Sequence, residues 1–328
     1  MAARGVLILL DTLTDKTVTD DDRVDALLTL TDRLRTVEVD EQVFIDKVYQ
    51  LFECCQTYLS GSNVELKLAC LQTLGYCVYH EKLVGAVPVK LLHDVIDLLL
   101  KTIVTSTEKN MLTKALWVLA QQNFPSAVVE SKVVTVMDAL ENIACRGEQY
   151  AGVQYEVSKI LGRLQAQAPG VVAQHVVQWL RLILPLVVHP AAKLRQRAFT
   201  VLEVSLPMLA QQPDTVAALV TNKLEKTLLN EMKKISDTQY MLSVWSMMVT
   251  FLGTELHKKG KLVNPLLQLV ESAFRSPALS IKTAAFNSWK VLIDNFAMNP
   301  GCNDFTILAF AIRFSAKLYY ENMEKPNE

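Results

Sequence analysis

The sequence predicts an all-α protein, a HEAT/armadillo-type α-solenoid of about six helical-pair repeats. Three observations predict it. Helix breakers are scarce: Gly and Pro each number 11 among 328 residues, against ordinary usage of roughly 7% and 5%. Apolar residues recur three and four apart along several stretches, the spacing of one helix face. A column of small residues then repeats at separations of 40 to 46 residues, close to the ~40–47 of HEAT and armadillo units.

The column reads Ala69, Ala115, Ser158, Ala198, Ser243 and Ala285. Four positions on stand Thr73, Leu119, Gly162, Leu202, Met247 and Trp289. A small side chain at a helix crossing lets two backbones approach, and the residue one turn on packs beside it. Individual elements follow. Val64 to Leu74 is a helix with Asn63 as its N-cap, after the break Ser60-Gly61-Ser62. Val87–Val104 pairs with Lys109–Gln122. Val171–Val188, interrupted by Pro185, pairs with Ala192–Leu209. Ile281 to Phe296 closes the series. Pro or Gly breaks such as Phe124-Pro125-Ser126, Gln212-Pro213-Asp214 and Asn299-Pro300-Gly301 fall between the pairs, as inter-helix turns should. Residues 1–300 are thus expected to form one continuous array, because a single repeat cannot bury its apolar face alone.

Composition narrows the function classes. Hydrophobic residues are 51% and charged residues 20%, a folded composition and not a disordered one. Net charge is −1, but it is unevenly spread. Residues 1–60 hold 12 Asp/Glu against 6 Lys/Arg, whereas residues 181–290 hold 14 Lys/Arg against 7 Asp/Glu. The second stretch suits an anionic partner. The six cysteines, Cys54, Cys55, Cys70, Cys77, Cys145 and Cys302, lack zinc-ligand spacing and read as buried apolar residues in a reducing compartment. The apolar run at residues 6–10 is too short for a signal peptide, and residues 305–320 fall short of the ~20 needed to span a bilayer. A soluble intracellular chain is expected, with no membrane partner and no cofactor.

Phosphate-cradling glycine loops, nucleophile elbows and H-E-x-x-H are all absent from the sequence. Five histidines stand singly. Neither an enzyme nor a small-molecule substrate is expected. The tryptophans Trp117, Trp179, Trp245 and Trp289 sit among Leu and Val, where core packing is the natural role. The candidate site is cationic. Lys193, Arg195 and Arg197 open a helix just after His189-Pro190, where unsatisfied amide groups add to an anion site. Lys258, Lys259 and Lys261 are expected to fill an inter-repeat turn. The ligand is a phosphate, from DNA or from a phosphorylated protein. A solvated basic face is the competing reading, and a transport-type adaptor binding peptides is the alternative function.

Several segments carry a specific likeness. They include Leu28-Thr29-Leu30-Thr31, Leu71-Gln72-Thr73-Leu74-Gly75, Ala115-Leu116-Trp117-Val118 and Pro185-Leu186-Val187-Val188-His189. The longest is Trp289-Lys290 through Leu292-Ile293-Asp294-Asn295-Phe296-Ala297. Together they resemble the N-terminal helical domain of the telomere-associated Rap-interacting factor family. The resemblance covers about residues 1–300, leaving 301–328 as a divergent tail. It implies a nuclear protein of chromosomes and telomeres, acting in replication timing, telomere maintenance and the choice of double-strand-break repair pathway. It implies as partners a phosphorylated DNA-repair adaptor and, in some members, DNA. Phosphatase recruitment through [RK]-V-x-F is not implied, since Lys132-Val133-Val134-Thr135 lacks the aromatic. Family members are much longer, so this chain is expected to be the N-terminal arm of a larger protein.

Overall fold

A computed structural model describes residues 2–36, 42–146, 150–258 and 260–298. Every regular element among them is helical. The chain divides into two compact units, residues 1–182 and 183–328.

In the first unit the helices are α1 (Ala2–Thr14), α2 (Asp20–Thr36), α3 (Gln42–Ser60), α4 (Val64–Cys77), α5 (Glu81–Gly85), α6 (Val89–Thr105), α7 (Lys109–Gln121), α8 (Ser126–Cys145), α9 (Ala151–Gln167) and α10 (Pro169–Gln174). Helix α11 (Val176–Ile183) runs to its end. Four pairs are complete: α1/α2, α3/α4, α6/α7 and α8/α9. First helices stack on first helices, α1 on α3, α3 on α6 and α6 on α8. Second helices do the same in the order α2, α4, α7, α9.

The second unit opens with a 3-10 turn, Leu184–Val188. Helices α12 (Ala192–Val204), α13 (Leu206–Leu209) and α14 (Pro213–Lys223) follow. A π turn, Leu224–Leu228, leads into α15 (Leu229–Met232). Helices α16 (Thr238–Leu252), α17 (Glu255–Lys258), α18 (Gly260–Phe274) and α19 (Leu279–Ala297) complete it. Helix α16 packs between α14 and α19, and α18 packs on α19. The fold is an α-solenoid of stacked helical pairs.

Local sequence explains several boundaries. The Asn63 side chain accepts from the Leu66 N–H at 3.1 Å and caps α4 as expected. Thr19 caps α2 by accepting from the Asp22 N–H, and Asp20, Asp21 and Asp22 occupy that helix's first turn. Carboxylates there favour the positive end of the helix dipole, which accounts for part of the acidic N-terminal balance.

Two expectations change. Ala192–Leu209 is not one helix but α12 and α13, broken at Ser205. Pro207 has no N–H to offer the Glu203 carbonyl, and its ring crowds the preceding turn. The small-residue column also slips in α16. Ala69, Ala115, Ser158, Ala198 and Ala285 are buried, but Ser243 is exposed between buried Leu242 and Val244.

The repeat period is written in polar rungs between second helices. Thr31 and Thr73 hydroxyls meet at 3.0 Å. Arg163 donates to Asn123 Oδ1 at 2.5 Å and to the Ala120 carbonyl at 3.2 Å. In the second unit Ser246 donates to Ser288 at 2.9 Å, and Asn295 Nδ2 donates to the Gly253 carbonyl at 3.0 Å. Partners lie 40 to 43 residues apart, so each rung joins one repeat to the next. Buried polar groups left unpaired cost about 1–3 kcal/mol. The rungs therefore penalise any slip of one helix along its neighbour.

Candidate functional site

The first cationic cluster divides. Lys193 and Arg197 are exposed, one turn apart on α12. Arg195 lies between them in sequence but points inward, with 8% of its surface exposed. Its Nη1 donates to the Pro190 carbonyl at 2.9 Å. Its guanidinium carbon sits 5.3 Å from the centre of the Tyr240 ring. The Tyr240 hydroxyl shares its hydrogen between the Val187 and Arg195 carbonyls, each at 2.8 Å. Arg195 therefore clamps the entry to α12 onto α16 and is largely withdrawn from solvent.

The start of α12 is otherwise suited to an anion. Its N-cap is Ala191, which has no capping side chain. Just upstream, His189 Nδ1 accepts from the Ala191 N–H at 3.0 Å. Burial lowers the His189 pKa, and the Arg195 charge lowers it further, so the imidazole is neutral and able to accept.

The second cluster spans the junction of two helices. Residues 255–258 form α17, and α18 begins at Gly260. His257 is buried because its Nε2 donates to the Asn295 backbone and side-chain oxygens, at 3.1 and 3.0 Å, while its ring stacks on Phe296 at 5.0 Å. Lys258 is exposed and paired with Glu255 at 2.6 Å, a bond that raises its pKa. Lys261 is exposed in the first turn of α18. Lys259 lies outside the described residues. Several other cations of this unit hold acids: Lys234 with Glu231, Arg275 with Glu271, and Lys290 with Asp294. Arg197 and Lys261 have no ion-pair partner among the described residues.

Three of the four tryptophans are core residues: Trp179, Trp245 and Trp289 are at most 3% exposed. Trp117 differs. It is half-buried on the second helices of the first unit, edge-on to Tyr76 with ring centres 5.5 Å apart. Lys114 lies over its indole at 5.3 Å. With its amide oxygen turned toward them, Gln121 accepts from Trp117 Nε1 at 3.1 Å and Lys159 Nζ at 2.8 Å. Lys159 also pairs with Glu156 and lies over Tyr155. Lys and aromatic side chains thus interleave on one face, which the linear sequence conceals because α4, α7 and α9 each contribute only part. Lys114 bonds Gln72 and Lys159 bonds Glu156, so this patch acts first as a staple across three helices.

Among the described residues, no group of three or more His, Cys, Asp or Glu is placed to hold a metal ion. No described helix is long and apolar enough to cross a membrane.

Comparison with known proteins places these features. The family described as Rap1-interacting factor 1 N terminal matches residues 16–308, so the match runs on past residue 300. Telomere-associated protein RIF1 of Gallus gallus is 38% identical over 305 residues, spanning 91% of this chain and 13% of that protein. The Homo sapiens protein of the same name is 38% identical over 310 residues, spanning 92% of this chain and 12% of that protein. The chain therefore spans about an eighth of these relatives' length. The solved Rif1 N-terminal domain from Saccharomyces cerevisiae, in complex with DNA, shares the fold at a TM-score of 0.62 and 13% identity, covering 88% of this chain and 33% of that one. The Kap95:Nup1 complex gives a TM-score of 0.51 at 14% identity, covering 90% and 37%. With a family match over most of its length and relatives at 38% identity, this chain belongs to the Rif1 N-terminal family.

Proposed function

We propose that the chain is a non-catalytic scaffold of nuclear chromatin that engages DNA through exposed cations of its second unit. The observation that carries this reading is the 38% identity, over nine-tenths of the chain, with telomere-associated proteins. The fold shared with a yeast relative solved on DNA supports the choice of ligand. Lys193, Arg197 and Lys261 are the proposed phosphate contacts, with Lys258 and Lys259 beside them. Arg195 positions the start of α12 from beneath. Residence at chromosomes and telomeres, and roles in replication timing, telomere maintenance and double-strand-break repair, belong to the same proposal for the longer protein.

A second reading is favoured by one geometric fact. Lys193 and Arg197 are exposed one turn apart at a helix start whose N-cap has no capping side chain. Two exposed cations at a helix start suit one phosphate group, which a phosphorylated DNA-repair adaptor would supply. Salt titration separates the readings. Duplex binding should fall steeply with salt, with a log–log slope of about −0.9 per phosphate neutralised. Charge reversal at Lys193, Arg197 and Lys261 should flatten that slope by about one for each phosphate no longer held. A phosphopeptide should instead show a shallow slope and lose affinity on dephosphorylation. If the folded triple variant binds both ligands as tightly as the parent, this site is wrong.

A further inference from the structure

Two hollows in the second unit share two lining residues, Leu206 and Thr250. The first, about 430 Å³, runs across α12, α16 and α19. The second, about 360 Å³, opens between the α13–α14 turn and the end of α16. Because they share a wall, they adjoin as the two ends of one groove.

The first end is polar without charge on its floor. Helix α16, Thr238–Leu252, contains no charged residue. Its groove face presents Gln239, Ser243 and Thr250, all exposed, and Asn287 faces them from α19. Solvated helix faces usually carry charge; this one carries amides and hydroxyls, which both donate and accept. That chemistry matches a peptide backbone. The second end is mostly apolar, with Leu206 38% and Met298 61% exposed at its mouth. Its volume accommodates one bulky apolar side chain.

Charge selects the occupant further. Residues 181–290 carry an excess of seven positive charges, yet no Lys or Arg lines either hollow. The charged lining residues are Glu203, Asp214 and Glu255. Glu255 is held by Lys258, whose charge also acts on Asp214; Glu203 and Asp214 are exposed carboxylates. This rim repels a nucleic-acid backbone and attracts cations.

We propose that this groove binds an extended peptide carrying one bulky apolar side chain flanked by Lys or Arg. The apolar side chain enters the hollow beside Leu206. The peptide backbone lies along Gln239, Ser243 and Asn287, and the flanking cations meet Glu203 and Asp214. None of its lining residues is a proposed DNA contact, although Glu255 holds Lys258 at its edge.

The test is fluorescence polarisation of the full chain with a labelled peptide, Gly-Ser-Lys-Phe-Lys-Ser-Gly. Controls replace its Phe with Ala or both Lys with Glu. Saturable binding that weakens at least about tenfold with either control is expected, a difference of ~1.4 kcal/mol or more. The double variant Glu203→Lys/Asp214→Lys should weaken the basic peptide similarly. Gln239→Ala with Asn287→Ala should weaken it whatever the flanking charge. All four positions are exposed, and thermal melts verify that the variants fold. A short DNA duplex should not compete, which keeps this result separate from the DNA proposal. Absence of saturable binding overturns the proposal. So does equal binding of the acidic control, or self-association of the chain abolished by Ser243→Arg, which would assign the groove to a second copy.

Discussion

The Arg195 guanidinium lies over the Tyr240 ring at 5.3 Å, while the Tyr240 hydroxyl returns to the Arg195 carbonyl at 2.8 Å. The two residues hold each other at both ends. Burial pushes the Tyr240 phenol pKa up, so it remains a donor at ordinary pH. Tyr240→Phe leaves the Val187 and Arg195 carbonyls short of a donor, and a loss of about 1–3 kcal/mol in urea unfolding is expected. Arg195→Met should also destabilise, yet leave the salt slope of DNA binding unchanged. A slope as shallow as that of Arg197→Glu would make Arg195 a phosphate ligand.

Gly75 is fixed by its neighbour across the repeat. A Cβ built there would land on the Trp117 ring. Gly75→Ala must push the indole off α4, and overpacking of this kind costs about 1–3 kcal/mol. The double variant Gly75→Ala/Trp117→Leu should recover part of that loss. Strict additivity of the two single changes in chemical unfolding would refute the contact.

Asn295 is 1% exposed and bonds α16, its C-cap and α17. Its Nδ2 donates to the Val249 and Gly253 carbonyls, and its Oδ1 accepts from His257. Asn295→Leu fills a similar volume but strands these partners. A loss of about 2 kcal/mol or more is expected in urea unfolding. Exchange at amides of α17 and α18 should quicken before that of α16.

His189 sets a pH dependence whose sign follows from its burial. Its folded pKa is lowered, and the unfolded imidazole titrates near pH 6.5. Below that value the unfolded chain binds the proton first, so acidification favours unfolding. The stabilising contribution is complete above about pH 6.5 and is lost as pH falls toward the folded pKa. His189→Asn keeps an acceptor for the Ala191 N–H without titrating. Thermal melts from pH 7.5 to 5 should show a flatter profile for the variant.

Much of the architecture was legible in the chain itself. The scarcity of Gly and Pro, the apolar spacing and the 40-to-46-residue period all report local or near-neighbour physics, and each unit's stacked pairs follow from them. Asn63 at its cap is the same kind of signal. The break at Ser205 had a local signal in Pro207, a missing N–H, which the expectation of one helix over Ala192–Leu209 passes over. The slip at Ser243 was not, since which side of α16 is buried depends on how α19 meets it through Ser246 and Ser288.

Where each cation points was decided only in three dimensions. Helical spacing puts Lys193 and Arg197 on one face and Arg195 off it, but does not say which face is buried. Arg195 turns inward because Tyr240, 45 residues later, offers a ring and a hydroxyl at that spot. His257 leaves its basic neighbours for the same reason, drawn in by Asn295, 38 residues on. The groove without Lys or Arg joins residues from Phe199 to Val291, and no window of the sequence contains it. Helix formation and repeat length depend on residues a few positions apart, so sequence alone determined them. Side-chain burial and surface charge depend on the neighbouring repeat, so the stacking of helices decided them.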